Sequence, residues 1–173
     1  DCSNGFHNNL MIGLNDSLYV WGENAMGQMG DGTTTNVISV KGAGVKAIGV
    51  AGGAEYSLYI KTDSTIMGAG RNDIGQLGDG TTTQRLVWTP VNLASTIHFK
   101  QIAAAANHSL GLTSGGLVYA WGLNAKGELG DSTTTMRSTP VVVHLMAGGN
   151  LANIIKVSCG TVQKGNNTSG GHS

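Results

Sequence analysis

Trp21-Gly-Glu-Asn-Ala-Met-Gly-Gln-Met-Gly-Asp-Gly-Thr-Thr-Thr35 returns as Ala69-Gly-Arg-Asn-Asp-Ile-Gly-Gln-Leu-Gly-Asp-Gly-Thr-Thr-Thr83, and again as Trp121-Gly-Leu-Asn-Ala-Lys-Gly-Glu-Leu-Gly-Asp-Ser-Thr-Thr-Thr135. The copies lie 48 and then 52 residues apart, and the same two offsets align Leu10, Leu58 and Leu110, then Ile12, Ile60 and Leu112. Two separated anchors sharing one pair of offsets identify an internal repeat, the signature of solenoids, propellers and arrays.

Within a unit, Ser109-Leu110-Gly111-Leu112-Thr113 and Leu117-Val118-Tyr119-Ala120-Trp121 alternate with period two, which reads as strand. Ser114-Gly115-Gly116, Asp63-Ser64 and Asn15-Asp16 sit between such runs as hairpin turns. The Gly-Asp-Gly-Thr-Thr-Thr stretch follows as a longer loop, and Thr89-Pro90-Val91 or Thr139-Pro140-Val141 opens a further strand, where the missing proline N–H does no harm. Each unit supplies about four short strands, one propeller blade.

The run from His108 to Thr135 resembles the regulator of chromosome condensation repeat, and the resemblance covers about residues 2 to 163. It implies an all-β fold of four-stranded antiparallel propeller blades, with the sequence repeat out of phase with the blade. Members similar to this chain close seven-bladed rings. Here there are three units, about 2–49, 50–101 and 102–156, and the start of a fourth in Ile155-Lys156-Val157-Ser158-Cys159-Gly160. Residues 164–173 read as a flexible tail or linker. An array of about three blades leaves unpaired strand edges, a liability that proteins cover or pair. It therefore fits a fragment of a longer propeller, a ring completed by a second chain, or a head-to-tail polymer.

Composition narrows the partners. The 173 residues carry ten Lys+Arg and ten Asp+Glu, so the basic footprint of a nucleic-acid binder is missing. The 28 glycines against two prolines suit many tight turns. No stretch approaches the roughly 18 apolar residues of a membrane span. The chain opens on Asp1, which reads as a processed protein or a piece of a larger one.

No Ser-His-Asp, Cys-His or paired-carboxylate spacing is legible, and His7, His98, His108, His144 and His172 share no metal-ligand spacing. No enzyme, metal or cofactor is expected. Asp31, Asp79 and Asp131 are expected to hold the repeated loop by accepting from the following amides. Trp21 and Trp121, with Tyr19 and Tyr119, are expected to pack between blades. Trp88, outside the repeat match, is the aromatic expected to be exposed, and hence a partner-contact residue.

Cys2 and Cys159 fall two positions apart in repeat phase, so a disulfide between neighbouring copies is one reading and two free thiols the other. Asn15, Asn107, Asn166 and Asn167 begin glycosylation acceptor patterns. The function expected is a non-enzymatic protein-interaction or self-associating structural module, extracellular or at the cell surface, with a protein, possibly another copy of itself, as partner. The alternative is a guanine-nucleotide exchange or chromatin-type regulator, as the resemblance implies.

Overall fold

The computed structural model describes residues 2–94 and 96–160; the acceptor sites at Asn166 and Asn167, His172 and the tail lie outside them. Among the described residues, twelve strands form three antiparallel sheets, each from four consecutive strands. Blade 1 contains β1 (Cys2–Asn4), β2 (Asn8–Ile12), β3 (Ser17–Gly22) and β4 (Val37–Lys46). Blade 2 contains β5 (Gly49–Gly52), β6 (Tyr56–Ile60), β7 (Ile66–Gly70) and β8 (Arg85–Pro90). Blade 3 contains β9 (Phe99–Ala104), β10 (His108–Thr113), β11 (Val118–Gly122) and β12 (Arg137–Val142). The expected all-β blade architecture is therefore what the chain adopts. Among the described residues, no helix is long and apolar enough to cross a membrane.

The blades pack face to face through the alternating apolar residues. Leu10, Leu18 and Val20 of blade 1 meet Val50 and Tyr59 of blade 2, and Leu58, Ile60 and Ile66 of blade 2 meet Phe99, Ile102 and Trp121 of blade 3. These side chains are buried to within a few per cent, and each removes enough apolar surface from water to stabilise by about 1.5–3 kcal/mol. Each blade makes the same irregular step between its third and outer strands: the register shifts between Val20 and Gly22, Gly68 and Gly70, Ala120 and Gly122. The glycine of that step is left-handed in all three blades, and a Cβ on Gly70 would lie 2.5 Å from the Glu55 carbonyl oxygen. This explains why the Trp/Ala-Gly pair repeats.

The loop after each step is built around a buried asparagine. The amide nitrogens of Asn24, Asn72 and Asn124 each lie 3.0 to 3.3 Å from acceptors on the loop's aspartate and threonines. Their carbonyl oxygens accept the amides of Met29, Leu77 and Leu129. Asp31, Asp79 and Asp131 do accept from a following backbone amide, that of Thr33, Thr81 or Thr133, and also from its hydroxyl. Their second oxygens pair with Lys41, Arg85 and Arg137 at 2.6 to 2.7 Å. Burial opposes ionisation of Asp131, but the bonds from Thr133, Arg137 and Asn124 outweigh it and hold the carboxyl at about 2. Asp31, bonded by Lys41 and Thr33, is likewise lowered to about 2 against the pull of burial.

Trp88 departs from expectation. It is half-buried rather than exposed, its ring set edge-on to Tyr59 at 4.9 Å and packed on the core between blades 1 and 2. The reason lies in the repeat. A Cβ on Gly78 would fall 2.8 Å from the Trp121 indole, and one on the equivalent Gly30 would fall 2.4 Å from the Trp88 indole. Unit 2 carries Ala69 where unit 3 carries Trp121, and Trp88 on the adjacent outer strand brings its ring to the space that Ala69 leaves.

Truncation of Trp88 to alanine is expected to cost about 3 kcal/mol, as a large core truncation does. Adding Ala69→Trp to that variant should recover part of the loss, whereas Ala69→Trp alone destabilises by overpacking; urea unfolding of the four proteins measures this. Asn72→Ala strips a buried hub and should cost about 3 kcal/mol or more. The depressed carboxyls of Asp31 and Asp131 contribute stability that is present above the ordinary carboxylate pKa of about 4 and is lost as pH falls towards 2. Unfolding free energy should therefore decline over that window, and less steeply in Asp131→Asn.

Candidate functional site

Among the described residues, three of the hollows and the outer face of blade 1 bear on function. The inner strands β1, β5 and β9, with the extended stretch at 156–159, surround a cavity of about 310 Å³ lined in part by Ser3, Gln101 and Lys156. Cys2 and Cys159 also line it, so the fold brings both cysteines to one channel within a single chain. Both are free thiols, Cys2 exposed and Cys159 half-buried. Burial pushes the Cys159 thiol up to about 11, so it is protonated at neutral pH and a poor nucleophile.

A second hollow, of about 320 Å³, lies where the loops between first and second strands meet, lined by Phe6, His7, Glu23, Glu55, Arg71 and Asn107. Its one guanidinium is already committed: Arg71 pairs with Glu55 and with Asp73, each at 2.7 Å. His108 is half-buried nearby, and desolvation lowers its pKa against the opposing charge of Glu128. Among the described residues, no three His, Cys, Asp or Glu side chains gather as metal ligands. Of the acceptor asparagines, Asn15 is exposed in a short 3-10 turn with φ of 61°, and Asn107 is half-buried between β9 and β10.

The third hollow is a cleft of about 430 Å³ on the face of blade 3 turned away from blade 2, lined by Leu110, Val118, Leu129, Val143, Leu151 and Ile154. Its floor is partly covered by the stretch that follows β12. Leu151, Ile154 and Val157 pack on Leu112 and Val118, and Val157 is tied through its backbone to the Gln101 side chain in both directions, at 2.9 and 3.0 Å. Val157 thus stands beside β9 as β9 stands beside β5, in the place of a next blade's inner strand.

Blade 1 presents the opposite open face. Here the expectation for the aromatics is corrected in part. Trp121 is fully buried between blades 2 and 3 and donates from Nε1 to the Gln76 carbonyl at 2.9 Å. Trp21 and Tyr19 occupy the equivalent side of blade 1, where no described blade covers them, and remain half-buried. Beside them Ile38 is 98% exposed and Val40 is 57% exposed. Ile38 matches Leu86 and Ser138 in the repeat. In blades 2 and 3 those two positions receive the loop of the preceding blade: Gly27 lies on Leu86 and Gly75 on Ser138. The Leu86 and Ser138 carbonyls accept the amides of Gly32 and Gly80 at 2.8 and 2.9 Å. The sequence reading missed this face, although Ile38-Ser39-Val40 at those offsets was the available signal.

Sequence and structure comparisons agree with this geometry. The model of the regulator of chromosome condensation (RCC1) repeat matches residues 15–60, 66–112 and 115–161, and a second model of the same description matches 99–128. The first two matches each run from the third strand of one blade into the second strand of the next, so repeat and blade are out of phase. The human E3 ubiquitin-protein ligase HERC2 is 25% identical over 161 residues, covering 87% of this chain and 3% of that protein. The human probable E3 ubiquitin-protein ligase HERC4 is 27% identical over 161 residues, covering 90% of this chain and 15% of that protein.

Among solved structures, human WBSCR16 superposes with a TM-score of 0.72 at 23% identity, over 82% of this chain and 37% of that one. Prp20p from Saccharomyces cerevisiae, described with its binding to Gsp1p and histones, superposes with a TM-score of 0.72 at 20% identity, over 85% of this chain and 38% of that one. The chain spans less than two-fifths of each of these four proteins. With three matched repeats across most of its length and the blades those repeats build, the chain belongs to the regulator of chromosome condensation (RCC1) repeat family.

Proposed function

We propose that this chain is a non-enzymatic protein-interaction module that binds a partner through the open faces of its blade array. The observation that carries this reading is the apolar surface that no described blade covers. The apolar cleft of blade 3, and the exposed Ile38 and Val40 of blade 1, occupy positions that inside the array are covered by a neighbouring blade. Exposed apolar surface of this kind marks an interaction site. The partner that fits is a protein presenting a blade-like sheet, because the faces match sheet packing rather than a small ligand. Binding of Gsp1p and histones by the yeast structural neighbour supports protein recognition as a use of this fold.

A photoreactive residue in place of exposed Lys126, at the rim of the blade 3 face, should cross-link to partner polypeptide in the native source, while one in place of exposed Asp63, on a distant turn, should not. Equal capture at both positions would refute binding through the open face. Gsp1p loaded with labelled nucleotide should release it no faster when this chain is added, and acceleration would replace the non-enzymatic reading with nucleotide exchange.

A further inference from the structure

We infer that the rim of the array carrying the hairpin turns and the blade-to-blade connections docks on an anionic lipid surface, through Leu14, Ile48 and the lysines around them. This surface is separate from the blade faces and does not rest on the binding proposed for them.

Neighbouring strands of a blade run antiparallel, so each blade has two rims. Residues 5–7 and 23–36, with their equivalents in the other blades, form the loop rim. Residues 13–16, 47–48, 61–65 and 114–117, with the connections that follow β8 and β12, form the turn rim. The chain's formal charge of zero conceals a separation between the two. Among the described residues the turn rim holds Lys46, Lys61, Lys100 and Lys156 against Asp16 and Asp63. The other seven acidic residues lie on the loop rim, and the other five basic ones lie there or, like Lys41, pair with its aspartates. Folding therefore gives a neutral sequence one rim with a surplus of two positive charges and an opposite rim with a surplus of two negative ones.

Backbone bonds make the turn rim one continuous surface. The Asp16 carbonyl accepts the Ala47 amide at 2.8 Å, which sets the Leu14–Asp16 turn beside Lys46 and Ile48. The Ile60 carbonyl accepts the Ile48 amide at 2.8 Å, next to Lys61, and the Ser64 carbonyl accepts the Phe99 amide at 2.9 Å, next to Lys100. Along this line Leu14 is 92% exposed and Ile48 is 44% exposed. Thr62 and Ser114 match Leu14 in the repeat, Lys100 matches Ile48, and all three are exposed as well. Thr62 and Ile48 belong to blade 2, which has a blade on either side, so the exposure belongs to the position within a blade. The polar residues at 62 and 114 also show that the turn itself has no need of leucine.

Apolar side chains on a basic surface fit a membrane interface: the alkyl groups enter the headgroup boundary while the ammonium groups meet the anionic lipids. Among the described residues the turn rim has lysine but no arginine, since Arg71, Arg85 and Arg137 are all held in ion pairs with acidic residues of the loop rim. Compact ammonium charges suit a diffuse field of headgroups, whereas reading individual phosphates of a nucleic acid favours the guanidinium fork. Lys46 and Lys100 are exposed and take part in none of the described ion pairs, so both charges face outwards. The Asp63 carboxylate meets Lys61 at 2.6 Å, so the acid nearest this line is already answered.

The test is sedimentation of the full chain with vesicles of phosphatidylcholine, with and without about one-third phosphatidylserine. The wild type should sediment with the anionic vesicles only, and less as salt is raised, because screening weakens the attraction. Each lysine at an anionic surface contributes roughly fivefold, so Lys46→Ala with Lys100→Ala should lower partitioning roughly twentyfold. Leu14→Ser, which installs the residue of the third unit's turn, should lower it several-fold, and Leu14→Trp should shift its fluorescence to the blue on anionic vesicles. Arg71→Ala, on the loop rim, should bind as the wild type does. All of these side chains are at least partly exposed, so an unchanged strand spectrum is expected of every variant.

A wild type that ignores anionic vesicles, that binds neutral ones equally, or that keeps its affinity without Lys46 and Lys100 would overturn the inference. Binding of polyglutamate or nucleic acid through the same lysines, with none to vesicles, would assign the rim to an acidic macromolecule instead. Since no protein partner enters these measurements, either failure leaves the cross-link expected from position 126 unaffected.

Discussion

The seating of one blade's loop on the outer strand of the next governs this architecture, and it depends on keeping a polar loop rigid against an apolar wall. The asparagine at the base of each loop satisfies that need. Its amide faces inward, fully buried in all three units, and gathers acceptors that would otherwise be left unpaired away from water. The aspartate fixes the threonine turn from the other side, with its charge answered by Lys41, Arg85 or Arg137. A loop held this firmly can present a glycine and a backbone donor at fixed positions, and the neighbouring blade is built to receive both.

The joint preserves a volume and a set of bond directions rather than a particular residue. Trp121 fills the space beside Gly78 from the third strand of its blade, whereas Trp88 fills the matching space beside Gly30 from the outer strand, opposite an alanine. The polar slot at the same joint varies in the same way. Asn8 donates to Ser57 across the first joint, while the Tyr56 hydroxyl reaches the Ala105 and His108 carbonyls and Ser109 across the second. Close packing at the interface is what tolerates such exchanges, since a void or an unpaired polar atom is penalised and the identity of the atom that fills it is not.

The proposed interaction role rests on the faces rather than on any hollow. The central channel is lined by two thiols and two lysines, Lys100 and Lys156, and the loop hollow has its arginine already neutralised by Glu55 and Asp73. By contrast, blade 1 carries Ile38 and Val40 exposed, and blade 3 an apolar cleft, at positions that a neighbouring blade covers inside the array.

Repeat spacing, period-two alternation and the positions of Gly, Asn and Asp determined the all-β blade architecture, the hairpins and the aspartate turns, because these depend on neighbours within a few residues along the chain. The asparagine hub was present at one offset in all three units and was readable in principle. Trp88, judged from its lack of a repeat counterpart, was misread as exposed, since only the pairing of β8 with β7 places its ring where Ala69 leaves room. Likewise Trp21 and Trp121 are indistinguishable in sequence context, yet one is sealed and the other half-open. That difference was decided by tertiary structure alone, because a side chain's burial depends on which sheet stands in front of it and the local pattern does not specify that neighbour.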